Sequence, residues 1–263
     1  MNPTLLAHPR MLVGVALAAA ACAAHAGRAC ENKPPRADNV ARALALAERT
    51  AASLDASGAQ VVVLARAGQN LSEYGLRYSH FGFAYRDGAA WHVVHKLNHC
   101  GTAHAALYRQ GLAEFFLDDL DRYEAAAVVP APEVQAHLLP ALRDNARVAT
   151  LNTPAYSMVA YPWAQTYQQS NQWALETLAM VEEPAVRTRE QAQAWLKLKG
   201  YTPTTLHLSA FKRLGARMTA ANIAFDDHPN EKRFTDRIET VTVDSVFAWL
   251  NRSGLGGTVQ VIR

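Results

Sequence analysis

The sequence predicts an α+β fold, a single exported domain in which helices pack on an antiparallel sheet. Helical and strand-like patterns mix along the chain without the strict β–α alternation of a parallel sheet. Two strand-like runs flank Arg86-Asp87-Gly88, a tripeptide typical of a β-hairpin turn. Half of the 263 residues are hydrophobic and no tract repeats, so the chain can form one large core.

In the first half of the chain, periodicity and turn residues define the elements. Val40, Leu44 and Ala47 recur at helical spacing before Gly58, and a β-branched run follows that glycine. Prolines near 130 are typical of a helix start. We therefore expect, in chain order, a helix over 37–56, strands over 59–65, 78–85 and 90–96, a helix over 107–120, a strand over 124–129 and a helix over 132–144.

The second half of the chain contains shorter elements. An apolar stripe after Ser170 indicates one helix, and a second helical pattern is stopped by Gly200. Strand-like runs occur near the C-terminus. We expect a strand over 156–160, helices over 170–181 and 188–199, a strand over 238–243, a helix over 244–250 and a strand over 258–262.

The first 26 residues have the three parts of a cleavable export signal. Arg10 supplies the positive charge, residues 11–24 form the apolar stretch, and Ala24-His25-Ala26 is a small-x-small cleavage site. Cleavage after Ala26 would leave a domain over 27–263 in the periplasm or outside the cell. Lipid attachment at Cys22 is the alternative, although the preceding alanines lack the usual leucine. No later segment is apolar over the length that a transmembrane helix needs.

Charge and cysteine content agree with an exported protein that does not bind nucleic acid. The net charge is only +3, without a basic block or stripe. Removal of the signal leaves Cys30 and Cys100, and two thiols in an oxidising compartment tend to pair. A Cys30–Cys100 disulfide would close a loop of about 70 residues. Two buried free thiols are the alternative.

Histidines concentrate in the predicted hairpin, where five of the ten lie between residues 80 and 104. Alternation along the two strands can place His80 and His95 on the same side, close enough to act on one substrate or one ion. Zinc is one interpretation, but His92 and His95 point to opposite faces of a strand, and no HExxH motif accompanies them. We predict neither a metal nor a cofactor.

A second polar cluster opens the predicted helix over 170–181. Ser170 lies at its start, where the helix dipole and free N–H groups stabilise negative charge. Such a position suits a nucleophile beside an oxyanion site. It also suits an N-cap serine, a common role for Ser before a helix.

Together these clusters resemble a known family. The SHFGFAY-type strand, the following strand that ends in histidine, and the later amphipathic helix opened by a small polar residue are similar to the circularly permuted NlpC/P60 papain-like group. That resemblance implies a permuted papain-like architecture in which His80 is the base, His95 orients it, and Ser170 occupies the place of the nucleophilic cysteine. Along its mature length, through runs such as GRAC, LNHCG, YSMVAYPW and AFDDHP, the chain also resembles an exported proteobacterial family of unknown function, of the DUF2145 type.

Two functions follow from the papain-like resemblance. The first is a hydrolase or acyl transferase that cleaves an amide or ester bond of cell-envelope material. The second is a catalytically inactive domain that binds a peptide, a glycan or a protein partner in the periplasm. In either case polar and aromatic residues near the cleft would contact the ligand, namely Tyr78, Phe81, Tyr167, Asn171 and Trp173. The oligomeric state is not indicated.

Overall fold

An antiparallel sheet of six strands is the centre of the computed structural model, which describes residues 35–118 and 120–263. Its strands are β1 (Val61–Ala67), β2 (His80–Asp87), β3 (Ala90–Asn98), β4 (Ala105–Gly111), β5 (Arg122–Val128) and, at the C-terminus, β8 (Gln260–Ile262). The order across the sheet is β4-β3-β2-β1-β5-β8, and every neighbouring pair is antiparallel. Two further strands, β6 (Thr204–His207) and β7 (Arg237–Thr240), form a small antiparallel sheet of their own.

Helices lie on both faces of the central sheet. The described residues contain α1 (Ala37–Ala56), α2 (Leu112–Phe116), α3 (Pro132–Arg143), α4 (Asn145–Ala149), α5 (Ser170–Glu182), α6 (Arg189–Leu198), α7 (Ala210–Thr219), α8 (Asn230–Arg233) and α9 (Val243–Arg252). The predicted α+β class is therefore confirmed. Within these residues no helix has the length and apolar character that crossing a bilayer requires.

Each face of the sheet packs in a separate hydrophobic core. Successive side chains of β2 point alternately into one core and the other. Phe81 and Phe83 pack in the core that contains Trp173 of α5. His80 points the other way and stacks on Phe115 of α2, which belongs to the core under α1 and α2. Strand β1 is buried along its whole length because both of its faces are covered.

A third, smaller core lies under the sheet of β6 and β7. Its buried members come from β6, β7 and neighbouring loops: Val159, Leu206, Leu208, Ile223, Phe225 and Ile238. This unit touches the start of α5, since the Gln169 side chain donates to Thr240 Oγ1 at 2.7 Å. The small sheet thus helps to fix the position of the α5 N-terminus.

Most elements expected from the sequence are present. Helix α1 begins and ends where the periodicity predicted, and the hairpin of β2 and β3 turns at Gly88, whose φ is +60°. The helix expected over 107–120 is wrong. Residues 105–111 form β4, an edge strand that pairs with β3, and only Leu112–Phe116 is helical. The strand expected over 156–160 is also wrong: this stretch consists of turns beside a single bridge, His104 to Ala155.

The export signal, Cys22 and Cys30 lie outside the described residues. Cleavage after Ala26 and the Cys30–Cys100 disulfide therefore stay predictions. The permuted papain-like architecture likewise stays a prediction, because the element order alone does not decide it.

Candidate functional site

His80 and His95 are in direct contact, as the alternation of the hairpin predicts. His80 Nε2 lies 2.8 Å from His95 Nδ1, and the two rings meet edge-on with centroids 5.1 Å apart. Gly82 makes this approach possible, since a Cβ at that position would lie 2.8 Å from His95 Cβ. The absence of a side chain at Gly82 therefore leaves the space that the contact between His80 and His95 requires.

A chain of hydrogen bonds fixes the tautomer of both histidines. Gln110 of β4 donates through Nε2 to Glu114 at 3.0 Å, so its Oε1 is the atom that faces His95 Nε2 at 2.7 Å. An amide oxygen only accepts, so His95 carries its proton on Nε2 and has a lone pair on Nδ1. His80 then donates from Nε2 and keeps an unprotonated Nδ1. No protein group in the described ranges bonds that nitrogen.

Burial keeps this pair neutral. It is the largest cause that lowers the pKa of His80 well below its ordinary value, followed by the charges of Arg66 and His95. Burial and Arg66 lower the pKa of His95 to about 3, against the opposing effect of its bond to Gln110. Arg66 is held nearby by Asp118, 2.6 Å from its Nη2, and by the carbonyl of Phe115. Both rings are therefore uncharged at neutral pH.

Arg66, Gln110 and Glu114 also border a cavity of about 260 Å³. The far end of the hydrogen-bonded chain thus faces an opening rather than the core. We refer below to Glu114, Gln110, His95 and His80 as the histidine relay.

Ser170 is the first residue of α5, but it is not the N-cap that local sequence allowed. Gln169 is the N-cap, and its Oε1 accepts from Asn171 N–H at 3.3 Å. Ser170 is buried near the Tyr156 phenol, whose pKa is raised mainly by burial against a smaller opposing effect of Ser170. In the part of the chain that the structure describes, Ser170 makes no hydrogen bond to His80 or His95.

Hydrogen bonds nevertheless join the start of α5 to the β2 backbone on either side of His80. Asn171 Oδ1 accepts from Phe81 N–H at 3.2 Å, and its Nδ2 donates to Ser79 O at 3.3 Å. The amide therefore bonds the β2 backbone on both sides of His80. Pairing between β2 and β3 begins only at Phe83, so Asn171 takes the place of a partner strand at this end. The geometry brings the α5 N-terminus and the relay to the same end of β2.

One comparison with known proteins identifies a family. The family described as an uncharacterised protein conserved in bacteria, DUF2145, matches residues 53–250. The chain belongs to this family. Neither a curated protein nor a solved structure gives a match. Membership in DUF2145 brings no activity with it, so function has to be argued from the site.

The matched region also contains a buried ionic network that sequence reasoning missed. Gln168 Oε1 accepts from Lys96 Nζ at 2.7 Å, and Gln168 Nε2 donates to Glu176 at 2.6 Å. Glu176 also accepts from Arg189 at 2.8 Å and from Gln193 at 2.7 Å. Burial, followed by the charge of Arg189, lowers the pKa of Lys96 to about 7. The signal in the sequence was a glutamate in a helix that is otherwise mostly apolar from Trp173 to Val181.

Most residues predicted to contact a ligand have structural roles. Phe81 and Trp173 are 1% and 0% exposed and fill the core, so a ligand cannot reach them. Tyr78 is buried and donates to Glu124 at 2.8 Å. Tyr167 is half-buried, with its hydroxyl 3.3 Å from Asp226. Asn171 is the backbone bridge described above.

The remaining histidines of the hairpin do not join the relay. His92 stacks on Tyr85 with centroids 5.7 Å apart, and the His104 carbonyl accepts from His99 N–H at 2.8 Å. Across residues 35–118 and 120–263, no three His, Cys, Asp or Glu side chains converge as a metal site would require. The chemistry of this region is therefore that of a neutral imidazole pair beside a helix N-terminus.

Proposed function

We propose that this protein is a hydrolase or acyl transferase of the cell envelope that acts on an amide or ester bond. His80 is the general base, His95 orients it, and Ser170 is the nucleophile. The observation that carries the proposal is the histidine relay, because it leaves an unprotonated Nδ1 on His80 at the end of β2 where α5 begins. A general base must present such a lone pair at neutral pH.

The reaction follows from these positions. Ser170 Oγ attacks the carbonyl carbon while its proton passes to His80 Nδ1. The C–N or C–O bond then breaks, and the proton on His80 goes to the leaving nitrogen or oxygen. Water attacks the acyl-serine by the same route in a hydrolase, and an acceptor hydroxyl or amine does so in a transferase. His95 Nδ1 accepts from His80 Nε2–H throughout and stabilises the imidazolium that forms.

The N-terminus of α5 would stabilise the negative charge that develops on the substrate oxygen in this reaction. Its first-turn N–H groups and helix dipole favour an oxyanion next to Ser170. Amide side chains hold this turn in place: Gln169 donates to Val241 O at 2.6 Å, and Asn171 bridges Ser79 and Phe81. A rigid nucleophile position is what preorganised catalysis needs.

A second function, a catalytically inactive domain that binds a peptide, glycan or protein, has its own support. Ser170 interacts with the Tyr156 phenol instead of His80, and the His80 ring points to the α2 side of the sheet while α5 packs on the other side. The burial that keeps His80 neutral also makes it a weak base. Both features are expected of a papain-like site that has lost its cysteine.

We also propose that the site works outside the cytoplasm. The N-terminal signal pattern and the even cysteine pair after cleavage support export to the periplasm or beyond. The substrate or ligand would then be a peptide or glycan of the envelope.

A fluorophosphonate probe tests the catalytic proposal, because it reacts with serines that a neighbouring base activates. We expect a single label on Ser170, absent from Ser170→Ala and reduced about 100-fold or more in His80→Gln. Ser72→Ala, which changes an exposed serine bonded to Asn70, serves as the matched control and should label as wild type. Absence of label in wild type, or full labelling of His80→Gln, would overturn the proposal and favour the binding domain.

A further inference from the structure

Helix α7 presents two large apolar side chains to solvent. Phe211 is 89% exposed and Leu214 is 59% exposed, whereas Ala216 packs against the small core under β6 and β7. At 100° per residue, Phe211 and Leu214 lie on the side of the helix opposite Ala216. The larger apolar side chains thus face solvent and the small alanine faces the core, which is the opposite of an ordinary amphipathic helix.

Phe234 lies next to this helix. It follows α8 and is 74% exposed. The Arg213 guanidinium of α7 donates to the carbonyl of Arg233, which holds the end of α8 against α7. Phe211, Leu214 and Phe234 therefore come from two adjacent elements, and we call these three residues the apolar patch. Exposed apolar groups of this kind usually mark a binding surface.

Cations accompany the apolar patch. The described side chains of α7 and α8 include the cations Lys212, Arg213, Lys232 and Arg233 and the carboxylate Glu231. The Arg233 guanidinium lies 5.6 Å from the Phe234 ring centroid. Nearby carboxylates from other elements pair with two of the cations, Glu73 with Lys212 at 2.7 Å and Glu239 with Lys232. With Glu231 included, the four cations exceed the three carboxylates by one, so the net charge of these side chains is +1.

We propose that α7 and Phe234 bind the surface of an anionic phospholipid bilayer. A membrane surface requires apolar side chains that enter the acyl boundary and cations that meet the phosphates, and it requires no complementary groove. Lysines interleaved with exposed phenylalanines fit that surface better than a protein interface, whose core is depleted in lysine. The helix would lie parallel to the bilayer with Phe211 and Leu214 directed into it.

Vesicle sedimentation tests this surface. The full chain is mixed with phosphatidylglycerol–phosphatidylcholine vesicles or with phosphatidylcholine vesicles, and the bound fraction is measured against lipid concentration. We expect binding to the anionic vesicles that weakens in high salt, and an apparent affinity about tenfold or more lower for the Phe211→Ser/Leu214→Ser double variant. All variants share the same N-terminal segment, so the difference between them reports α7.

Leu198→Ser is the matched control, since Leu198 of α6 is 82% exposed and lies outside the apolar patch. It should bind as wild type, and unchanged thermal melting of the double variant would show that its fold is intact. Equal binding to both vesicle types, absence of binding, or an unaffected double variant would overturn the proposal. Reversible dimerisation of the wild type that the double variant abolishes would also overturn it, because a second copy would then cover the apolar patch.

Discussion

At the residue scale, the relay depends on a close approach of β2 and β3. Gly82 stands opposite His95, and a Cβ there would also lie 2.8 Å from Val94 O. The backbone oxygen cannot move aside as a flexible side chain would. A side chain at this position must therefore push β3 away and separate His80 from His95.

Gly82→Ala should lower the free energy of unfolding by about 1–3 kcal/mol, as overpacking of a rigid site does. It should also reduce probe labelling of Ser170, because the relay is disturbed. Gly111→Ala is the matched control, since its Cβ meets no atom within 4 Å and its φ is an ordinary −70°. Urea unfolding of both variants measures the difference, and equal stability would refute the crowding argument.

The neutral state of His95 makes stability depend on pH. Its pKa is about 3 in the folded protein and near its ordinary value of 6.5 in the unfolded chain. Below pH 6.5 the unfolded chain binds a proton that the folded protein does not. The free energy of unfolding therefore decreases as the pH is lowered. From pH 7 to pH 5 this residue should account for a loss of about 2 kcal/mol.

The comparison of wild type with His95→Gln isolates that contribution. The variant should lose about 2 kcal/mol less than wild type between pH 7 and pH 5. Urea unfolding at the two pH values gives the measurement. An identical loss in both proteins would show that His95 is not held neutral by the fold.

Only part of the relay was predictable at this scale. Alternation along a hairpin placed His80 and His95 together because both lie in strands with a clear turn between them. Gln110 and Glu114 were missed because residues 107–120 were expected to be helical, whereas Gln110 lies on an edge strand. The Tyr156–Ser170 contact joins distant segments and has no local pattern that could reveal it.

At the element scale, α5 connects the two polar clusters of the molecule. Its first turn is anchored beside His80 by Asn171, and its second turn carries Glu176 into the buried network with Lys96 and Arg189. The carboxylate satisfies a buried guanidinium, so its charge cannot be removed without leaving Arg189 unpaired.

Glu176→Gln keeps the shape of this side chain but removes the charge. We expect the free energy of unfolding to fall by about 3–5 kcal/mol, the usual cost of leaving a buried ion without its partner. Glu190→Gln is the control, because Glu190 is exposed in the first turn of α6 and its loss should change stability by about 0.5 kcal/mol or less. Chemical unfolding that shows the same small effect for both would contradict the role of the network.

Elements with strong local signals were predicted well, and those that depend on pairing were not. Helix α1 has a sustained apolar stripe and a glycine stop, so its limits follow from the sequence. Strand β4 is an edge strand that pairs with β3 on one side only, and its residues are half-exposed without alternation. Strand β6 and helices α7 and α8 were also missed; β6 and α7 pack on a small core whose other members come from distant parts of the chain.

At the scale of the whole molecule, the predicted disulfide would join the N-terminal segment to the body. Cys100 lies directly after β3, two residues beyond its last residue Asn98. A bond from Cys30 to this point would tie the mature N-terminus to the hairpin that carries the relay. By the chain-entropy relation it would stabilise the fold by about 4 kcal/mol.

Mass spectrometry of the protein recovered from the periplasm tests this link. Alkylation under denaturing conditions without reductant should leave the mass unchanged, and the same treatment after reduction should add two alkyl groups. The intact mass should correspond to a chain that begins at Gly27. Uptake of two alkyl groups without reduction would exclude the disulfide.

The state of the His80 ring tests the central claim most directly. Long-range proton–nitrogen NMR of histidine-labelled protein, with His80→Gln used for assignment, reports which ring nitrogen carries the proton. We predict a neutral ring from pH 7 to pH 5, protonated at Nε2 and bare at Nδ1. A proton on Nδ1, or titration near pH 6.5, would contradict the relay and with it the role of His80 as base.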